Sequence, residues 1–393
     1  LNEGTDLSAG TTQVLWKNKG AVYPTKRIHN FRIPGLVRTP HKLIAFCEAR
    51  EETGSTNKDG GDIDLVYRVS TDDGQTWGPS QVLFDDEDNT CGNACAVWTE
   101  SGRLVVFCCW ARTGTTEAKF KSNYFSFEES QRYHNHVVSF YSDDEGATWS
   151  GPFKHFTEGR NSNPDRYLWT GFFKAGPGHA IQLKTGEHKG RILVGCDHKY
   201  QIYNGVPITS DDENYYGSHV AYSDDNGESW HMLELDEELH YGNECVPVEL
   251  SDGRIYLDMR STGAYKNQRG WSVSGDGGIT WSRYTPNPLR TDPGCQGSIV
   301  NYNTNGVPSS VILASSNNST GRDHLSIRAS LDDCATWKTD VYQITEGKSG
   351  YSDLVVFDDG SVGVLYENGT SVYREQISFR RIPAATIAKY INE

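Results

Sequence analysis

Charged and phenolic side chains gather at one end of several strand-like runs in this chain. In YSDLVVF-DDGS-VGVLYE (351–367), two apolar runs flank an Asp-Asp-Gly turn near Asp359, and antiparallel pairing sets Tyr351 opposite Glu367. In ECVPVEL-SDG-RIYLDMR (244–260), the turn falls near Asp252 and Glu244 faces Arg260. In FRIPGLVR-TPHK-LIAFCEAR (31–50), it falls near His41, so Arg32 lies opposite the end that carries Glu48 and Arg50. Asp59 follows in the next loop, ahead of IDLVYRVS, and Arg322 precedes HLSIRAS. Guanidiniums bind anionic groups through charge-assisted hydrogen bonds. A phenol beside a carboxylate suits a nucleophile with its own base, and a further carboxylate suits proton transfer. Any one of these groups alone reads as a solvated strand end. Arg32, Arg260, Arg322, Asp59, Glu244, Glu367 and Tyr351 together, at equivalent ends of similar hairpins, do not.

The elements that position these groups repeat along the chain. S-T-D-D-G-Q-T-W at 70–77 returns as S-D-D-E-G-A-T-W at 142–149 and S-D-D-N-G-E-S-W at 223–230. It returns again as S-G-D-G-G-I-T-W at 274–281 and S-L-D-D-C-A-T-W at 330–337, where Cys334 replaces Gly. Each copy leaves a strand-like run. Its Asp can accept bonds from nearby backbone N–H groups, its Gly permits a tight turn, and its Trp packs the turn on neighbouring strands. Strand order then puts these turns at one rim and the functional groups at the other, one strand of roughly 20 Å away. A propeller blade of four strands needs about 40–50 residues. The five copies, with the sequence before and after them, leave room for a sixth unit that lacks one.

The bulk of the sequence narrows the function. The net charge of −15 argues against nucleic acid as the main partner, and any anion site must be a local basic cluster. There is no apolar run near the length of a membrane span. Of nine cysteines, Cys91 and Cys95 are spaced for a local disulfide, while no second Cys/His pair completes a metal site there. Most of the others lie in apolar runs and read as packing. The chain starts at Leu1 without Met, as a processed chain would, and shows no signal peptide. Asn317, Asn318 and Asn368 lie in N-x-S/T sequons, a hint of a secretory route.

The five repeats resemble the "Asp box" of sialidases. F-R-I-P (31–34) is similar to that family's R-I-P segment, G-Y-S-D-L (350–354) to the segment around its nucleophile, and L-Y-E (365–367) to the segment whose Glu holds the first arginine. E-A-R followed by D-G-G-D-I-D gives Asp59 the acid/base place, with Asp62 and Asp64 as competitors, and N-E (243–244) resembles the site of the Glu beside the nucleophile. The likeness spans about residues 27 to 380. It implies an all-β fold, a six-bladed β-propeller of four-stranded antiparallel sheets, as one catalytic domain over 1–393 with a helical turn or two at 383–393. It also implies an exo-α-sialidase that cleaves terminal sialic acids with retention. Arg32, Arg260 and Arg322 would hold the substrate carboxylate, with Arg328 as the fallback for Arg322. Tyr351 would attack the anomeric carbon, because a carboxylate nucleophile would be repelled by the substrate's own. Neighbouring arginines would favour its phenolate and Glu244 would take its proton. Asp59 would serve as acid and then base, Glu367 would orient Arg32, and Arg50 would approach a sugar hydroxyl.

Trp110 and Arg112 are candidates for the glycerol or N-acyl groups, and His179 reads as structural. No metal or other cofactor is needed. The partners expected are sialylated glycans or Kdn glycosides, with no nucleic acid and no membrane span, in a secreted or extracellular setting. A Kdn-preferring glycosidase or a trans-sialidase would use the same residues. A sialic-acid-binding lectin could lose Tyr351 or Asp59, and both are present. An Asp-box interaction propeller has no use for three converging arginines.

Overall fold

The computed structural model describes residues 10, 12–18, 22–23, 26–51, 59–115, 135–155, 167–202, 214–232, 239–303 and 306–393. The described chain is mostly β, in curled antiparallel sheets. Strands follow one another as meanders. Lys26–Arg38 pairs with Leu43–Glu51, then Ile63–Ser70, then Gln81–Phe84. Thr90–Trp98, Leu104–Ala111, Asn135–Ser142 and Ser150–His155 repeat the pattern, as do Tyr167–Ala175, Ile192–Ile202, Asn214–Ser223 and His231–Met232. Gly242–Glu249, Ile255–Ser261, Gln268–Ser274 and Thr285–Thr291 form the next meander. Ser298–Asn301, Val311–Ser316 and Asp323–Ser330 then run into the long strand Tyr342–Val356. The far half of that strand pairs with Val362–Gly369 and then Gln376–Ile382, and Thr12–Lys17 from the other end of the chain completes that meander.

The strands nearest the site are buried along most of their length, charged ends included, because both faces are covered. Leu43–Glu51 is buried at every position but its last. One apolar cluster joins Leu43, Cys47 and Val66 to Leu365, Ile377 and Phe379, so the last meander packs on the first. Other clusters join each meander to the next, as Phe46 and Leu65 meet Ala96 and Phe140. Among the described residues the one α-helix is Ala384–Asn392, which seats Ile387, Tyr390 and Ile391 against the meander of Ile312 and Ile327. No described helix is long and apolar enough to cross a membrane.

The repeated turns owe their shape to side-chain bonds. In the first copy the Ser70 hydroxyl donates to Asp72 (2.7 Å) and accepts from the Gly74 N–H (2.8 Å), and Asp72 accepts from the N–H and hydroxyl of Thr76 (2.8 and 2.6 Å). The fifth copy makes the same bonds from Ser330 and Asp332 to Cys334 and Thr336, with Cys334 holding φ 66° where Gly74 holds 86°. These bonds therefore hold a side chain in a conformation that ordinarily favours glycine. Each turn lies at the end of its strand away from the functional groups: Ser70 pairs with Leu43, while Ile63, seven residues and roughly 23 Å up the strand, pairs with Arg50.

At the other end, a β-bulge recurs in the first strand of several meanders. Arg32 pairs with Glu48 but Gly35 with Phe46, so two residues face one. The same slip falls between Gly92 and Cys95, Gly242 and Cys245, and Ser349 and Ser352. A bulge bends its strand and re-aims a side chain. Ile33 and Asn93, inside two of the bulges, take φ 60° and 55°, a rare conformation for a β-branched residue such as Ile33. The bulge also explains why Tyr351 has no cross-strand partner. Its N–H turns instead to the Glu367 carboxylate, 3.2 Å away.

Candidate active site

The bulged strand ends surround a cavity of about 330 Å³ lined by Arg32, Arg50, Asp59, Glu244, Arg260, Arg322 and Tyr351. Glu367 lies directly behind it. Its carboxylate, with no exposed surface, accepts from Arg32 Nε (2.8 Å) and Nη2 (3.2 Å) and from the Ile33 N–H (3.0 Å). Those bonds, with that from the Tyr351 N–H, lock the first arginine to the strand that carries the tyrosine. None of the residues of the five repeated turns lines this cavity.

Tyr351 is buried, its ring against Ile33 and Cys295. Its hydroxyl donates to Glu244 Oε1 at 2.5 Å and accepts from Arg260 Nη1 at 3.0 Å. The same Arg260 nitrogen donates to Glu244 Oε2 at 2.8 Å. Burial first, and then the Glu244 carboxylate, push the phenol well above its ordinary pKa, against the pull of Arg260, Arg322 and Arg32. The arginines pull toward the phenolate as expected, but burial and the Glu244 carboxylate outweigh them. The resting site holds a neutral phenol with a carboxylate in hydrogen-bonding contact.

Of the three aspartates considered, Asp59 is the one that lines the cavity. Asp62 and Asp64 do not line it; they group with Glu51 behind the strand end. The Asp59 side chain is exposed and accepts from Arg50 Nη1 at 2.6 Å. Partial burial raises its pKa, but Arg50, then Lys174 and Arg32, outweigh that and hold the carboxyl below its usual range. Arg50 is itself fixed by a residue that the sequence places beside it without assigning a role. Glu48 accepts from Arg50 Nε (2.9 Å) and Nη2 (2.6 Å), and its other oxygen accepts from the bulge N–H of Asn93 (3.1 Å).

Other expectations fall elsewhere. Arg328 hydrogen bonds to the carbonyls of Lys338 and Thr339, away from the cavity. Trp110 donates to Asp86 at 2.5 Å, and neither it nor Arg112 lines the cavity. His179 shares Asp353 (2.7 Å) with the Ser298 hydroxyl and the Leu36 N–H, a buried knot below Tyr351. Cys91 and Cys95 are not bridged; all nine cysteines are buried thiols. The cavity also receives Tyr373, Lys174, Asp197, Tyr216 and Asn243. Sequence spacing gives no sign of these, because they come from loops and neighbouring sheets.

A BNR repeat-like domain model matches residues 41–364. The chain is 30% identical over 390 residues to a sialidase of Micromonospora viridifaciens, covering 94% of this chain and 54% of that protein. It is 30% identical over 368 residues to a sialidase of Paraclostridium sordellii, covering 88% of this chain and 83% of that one. Among solved structures, the Hadza microbial sialidase Hz136 superposes with a TM-score of 0.72 at 23% identity, over 91% of this chain and 66% of that chain. This chain thus spans about half the length of the Micromonospora relative. With the fold, the cavity and these matches together, the chain belongs to the sialidase family of glycoside hydrolases.

Proposed function

We propose that this chain is an exo-α-sialidase that removes terminal sialic acids from glycoconjugates with retention, through an intermediate on Tyr351. One observation carries the reading: a buried tyrosine hydroxyl bridges a carboxylate and a guanidinium in a cavity that also holds Arg32 and Arg322. In the reaction so read, Arg32, Arg260 and Arg322 bind the substrate carboxylate, which sits on the carbon under attack. The Tyr351 oxygen bonds to that carbon while its proton passes to Glu244 Oε1. The glycosidic C–O bond breaks as Asp59 protonates the leaving oxygen. Asp59, now a carboxylate, takes a proton from water as that water attacks the same carbon. Tyr351 leaves and recovers its proton from Glu244.

The raised pKa of Tyr351 supports concerted proton removal over a standing phenolate. The lowered pKa of Asp59 adds a requirement. It must be protonated to act, so a sugar hydroxyl has to take its place on Arg50 Nη1 first. Glu48 holds the other two Arg50 nitrogens, which leaves that position the natural exchange point. The meanders, each packed on the next and the last on the first, support six blades in one domain over 1–393, with the repeated turns on the face opposite the site. The nature of the substrate, displayed on extracellular glycans, supports a secreted setting.

Release of product from paired aryl glycosides of N-acetylneuraminic acid and Kdn, followed by NMR, tests the proposal. Release of the α-anomer first, from the N-acetylneuraminic acid glycoside, is expected. Trapping with a 3-fluoro sialosyl fluoride should place the adduct on a Tyr351 peptide. Release of the β-anomer first, or an adduct on a carboxylate, would overturn the mechanism. Preference for the Kdn glycoside, or transfer to a lactose acceptor, would replace the substrate assignment.

A further inference from the structure

Arg32, Arg260 and Arg322 in the cavity are not balanced alike. Arg32 is forked on Glu367 and Arg260 is paired with Glu244. Arg322 forms no ion pair with a carboxylate among the described residues, and its hydrogen bond is Nη2 to the Gly294 carbonyl at 3.3 Å. What surrounds it instead is aromatic. Arg322 Cζ lies 5.4 Å from the ring centroid of Tyr351 and 4.9 Å from that of Tyr373. Arg32 Cζ lies 5.2 and 5.3 Å from the same two rings. Two guanidiniums that repel each other therefore share two phenol faces.

Tyr373 is built into this place. The Glu375 carboxylate accepts from the N–H groups of Thr370 (2.9 Å), Ser371 (2.8 Å) and Val372 (3.1 Å), which fixes the turn that carries the ring. The residue before Tyr351 leaves the ring its room: a Cβ on Gly350 would come within 2.8 Å of Tyr373 Cδ2 and 2.3 Å of Glu367 Oε2. The sequence Gly350-Tyr351 thus serves the second tyrosine as well as the first.

A carboxylate beside Arg322 would neutralise it, but that carboxylate would also occupy the donors that an anionic substrate needs. An aromatic face stabilises a cation without accepting its N–H bonds in the ring plane. We propose that Tyr373 is a positioning residue that holds Arg322 in the cavity through its ring face, so that one guanidinium stays uncommitted for the substrate carboxylate. This rests on the sialidase reading of the cavity and deepens it. Tyr351 has the same faces but must move its electrons in the reaction. Tyr373 is the partner that can remain constant throughout.

The test uses Tyr373→Ala, Tyr373→Phe and Tyr373→Glu in the full chain. It measures steady-state kinetics on an aryl sialoside and calorimetric binding of the 2,3-didehydro analogue of N-acetylneuraminic acid. With the ring removed, KM and the analogue's Kd should rise about tenfold, one cation–π contact (about 1.4 kcal/mol), while kcat changes less than threefold. The Phe variant should stay within about twofold of the parent, since it keeps the face and loses only the hydroxyl. The Glu variant should bind worst, at least another tenfold down, because it supplies the carboxylate that Arg322 lacks. Unfolding temperatures of all three should match the parent; an Ala variant that melts early is replaced by Tyr373→Leu for the binding measurement. Unchanged KM and Kd in the Ala or Leu variant would overturn the proposal, as would equal losses in Ala and Phe, or a Glu variant no weaker than Ala. A parent chain that neither cleaves the sialoside nor binds the analogue would instead bring down the sialidase reading itself, before any variant is compared.

Discussion

The chain carries a second arginine cluster beside the cavity, and the contrast between the two separates a working charge from a structural one. Arg269 and Arg290 are fully buried, yet every charge is answered. Arg269 Nε donates to Asp258 (2.6 Å) and Nη1 to Asp292 (3.0 Å) and to the Cys295 carbonyl (3.0 Å). Arg290 donates to the other Asp258 oxygen (2.5 Å) and to the Tyr256 hydroxyl (3.0 Å). In the cavity, Arg32 and Arg260 each have a carboxylate and Arg322 has none. The clusters are also linked. Arg269 and Asp292 hold the turn through the Cys295 carbonyl and N–H, and the Gly294 carbonyl in that turn accepts from Arg322. Burial alone therefore does not mark a functional arginine.

The contrast can be broken most directly at the Tyr351 hydroxyl. Tyr351→Phe keeps the ring against Ile33 and Cys295 and removes only the hydroxyl. Loss of a nucleophile costs up to about 10⁶-fold in kcat, so a fall of at least about 10³-fold is expected with an unchanged melting curve. Activity within tenfold of the parent would remove Tyr351 from the reaction.

The next test sets the clusters against each other. Arg322→Ala should lower kcat/KM by about 10²–10³-fold, in line with about 2–5 kcal/mol for a lost charged contact, and leave the melting temperature nearly unchanged. Arg269→Ala should do the opposite in the first instance. It leaves Asp292 buried without its arginine and Asp258 with Arg290 alone, and should cost about 3–5 kcal/mol of stability, read as a lower urea midpoint. An Arg322 variant that unfolds early and an Arg269 variant that melts normally would erase the distinction.

A smaller effect concerns acid stability, away from both clusters. His198 and His219 share a buried bond, Nδ1 to Nδ1, at 2.8 Å. Burial holds both rings neutral, lowering His198 to about 3 and His219 well below its usual value, the second also through its neighbour. Their folded pKa values lie below those of the unfolded chain. The unfolded state thus binds more protons between about pH 6.5 and 3. The stability these rings permit is present above pH 6.5 and is lost as pH falls through that window. His198→Phe should therefore flatten the fall in stability between pH 6.5 and 4.5, by about 2 kcal/mol at the acid end. Parallel pH curves for parent and variant would rule this source out.

Legibility in the sequence followed distance along the chain. The repeated turns are legible because each closes within eight residues, through Ser, Asp and Thr side chains bonding to nearby backbone. The hairpins place Glu244 beside Arg260, and Glu367 behind Tyr351, because a short turn sets the register between adjacent strands. Even there the pairing is imperfect. Bulges at Gly242–Cys245 and Ser349–Ser352 shift the partners by a residue, and it is the bulge that frees the Tyr351 N–H for Glu367.

What only the tertiary structure decided is every contact made between meanders. Arg32 and Glu367 meet across 335 residues, and Tyr351 and Glu244 across 107. Family resemblance pointed to these groups, but nothing in their local sequence sets their separation. The Glu48 fork on Arg50 joins two residues on one face of a single strand, whereas the Tyr373 face over Arg322 has no local signature, since it depends on how one strand end is packed against another. The same holds for the state of the phenol. Three arginines in a sequence suggest a phenolate, whereas a buried ring touching a carboxylate keeps its proton, because desolvation and one near negative charge outweigh three positive ones.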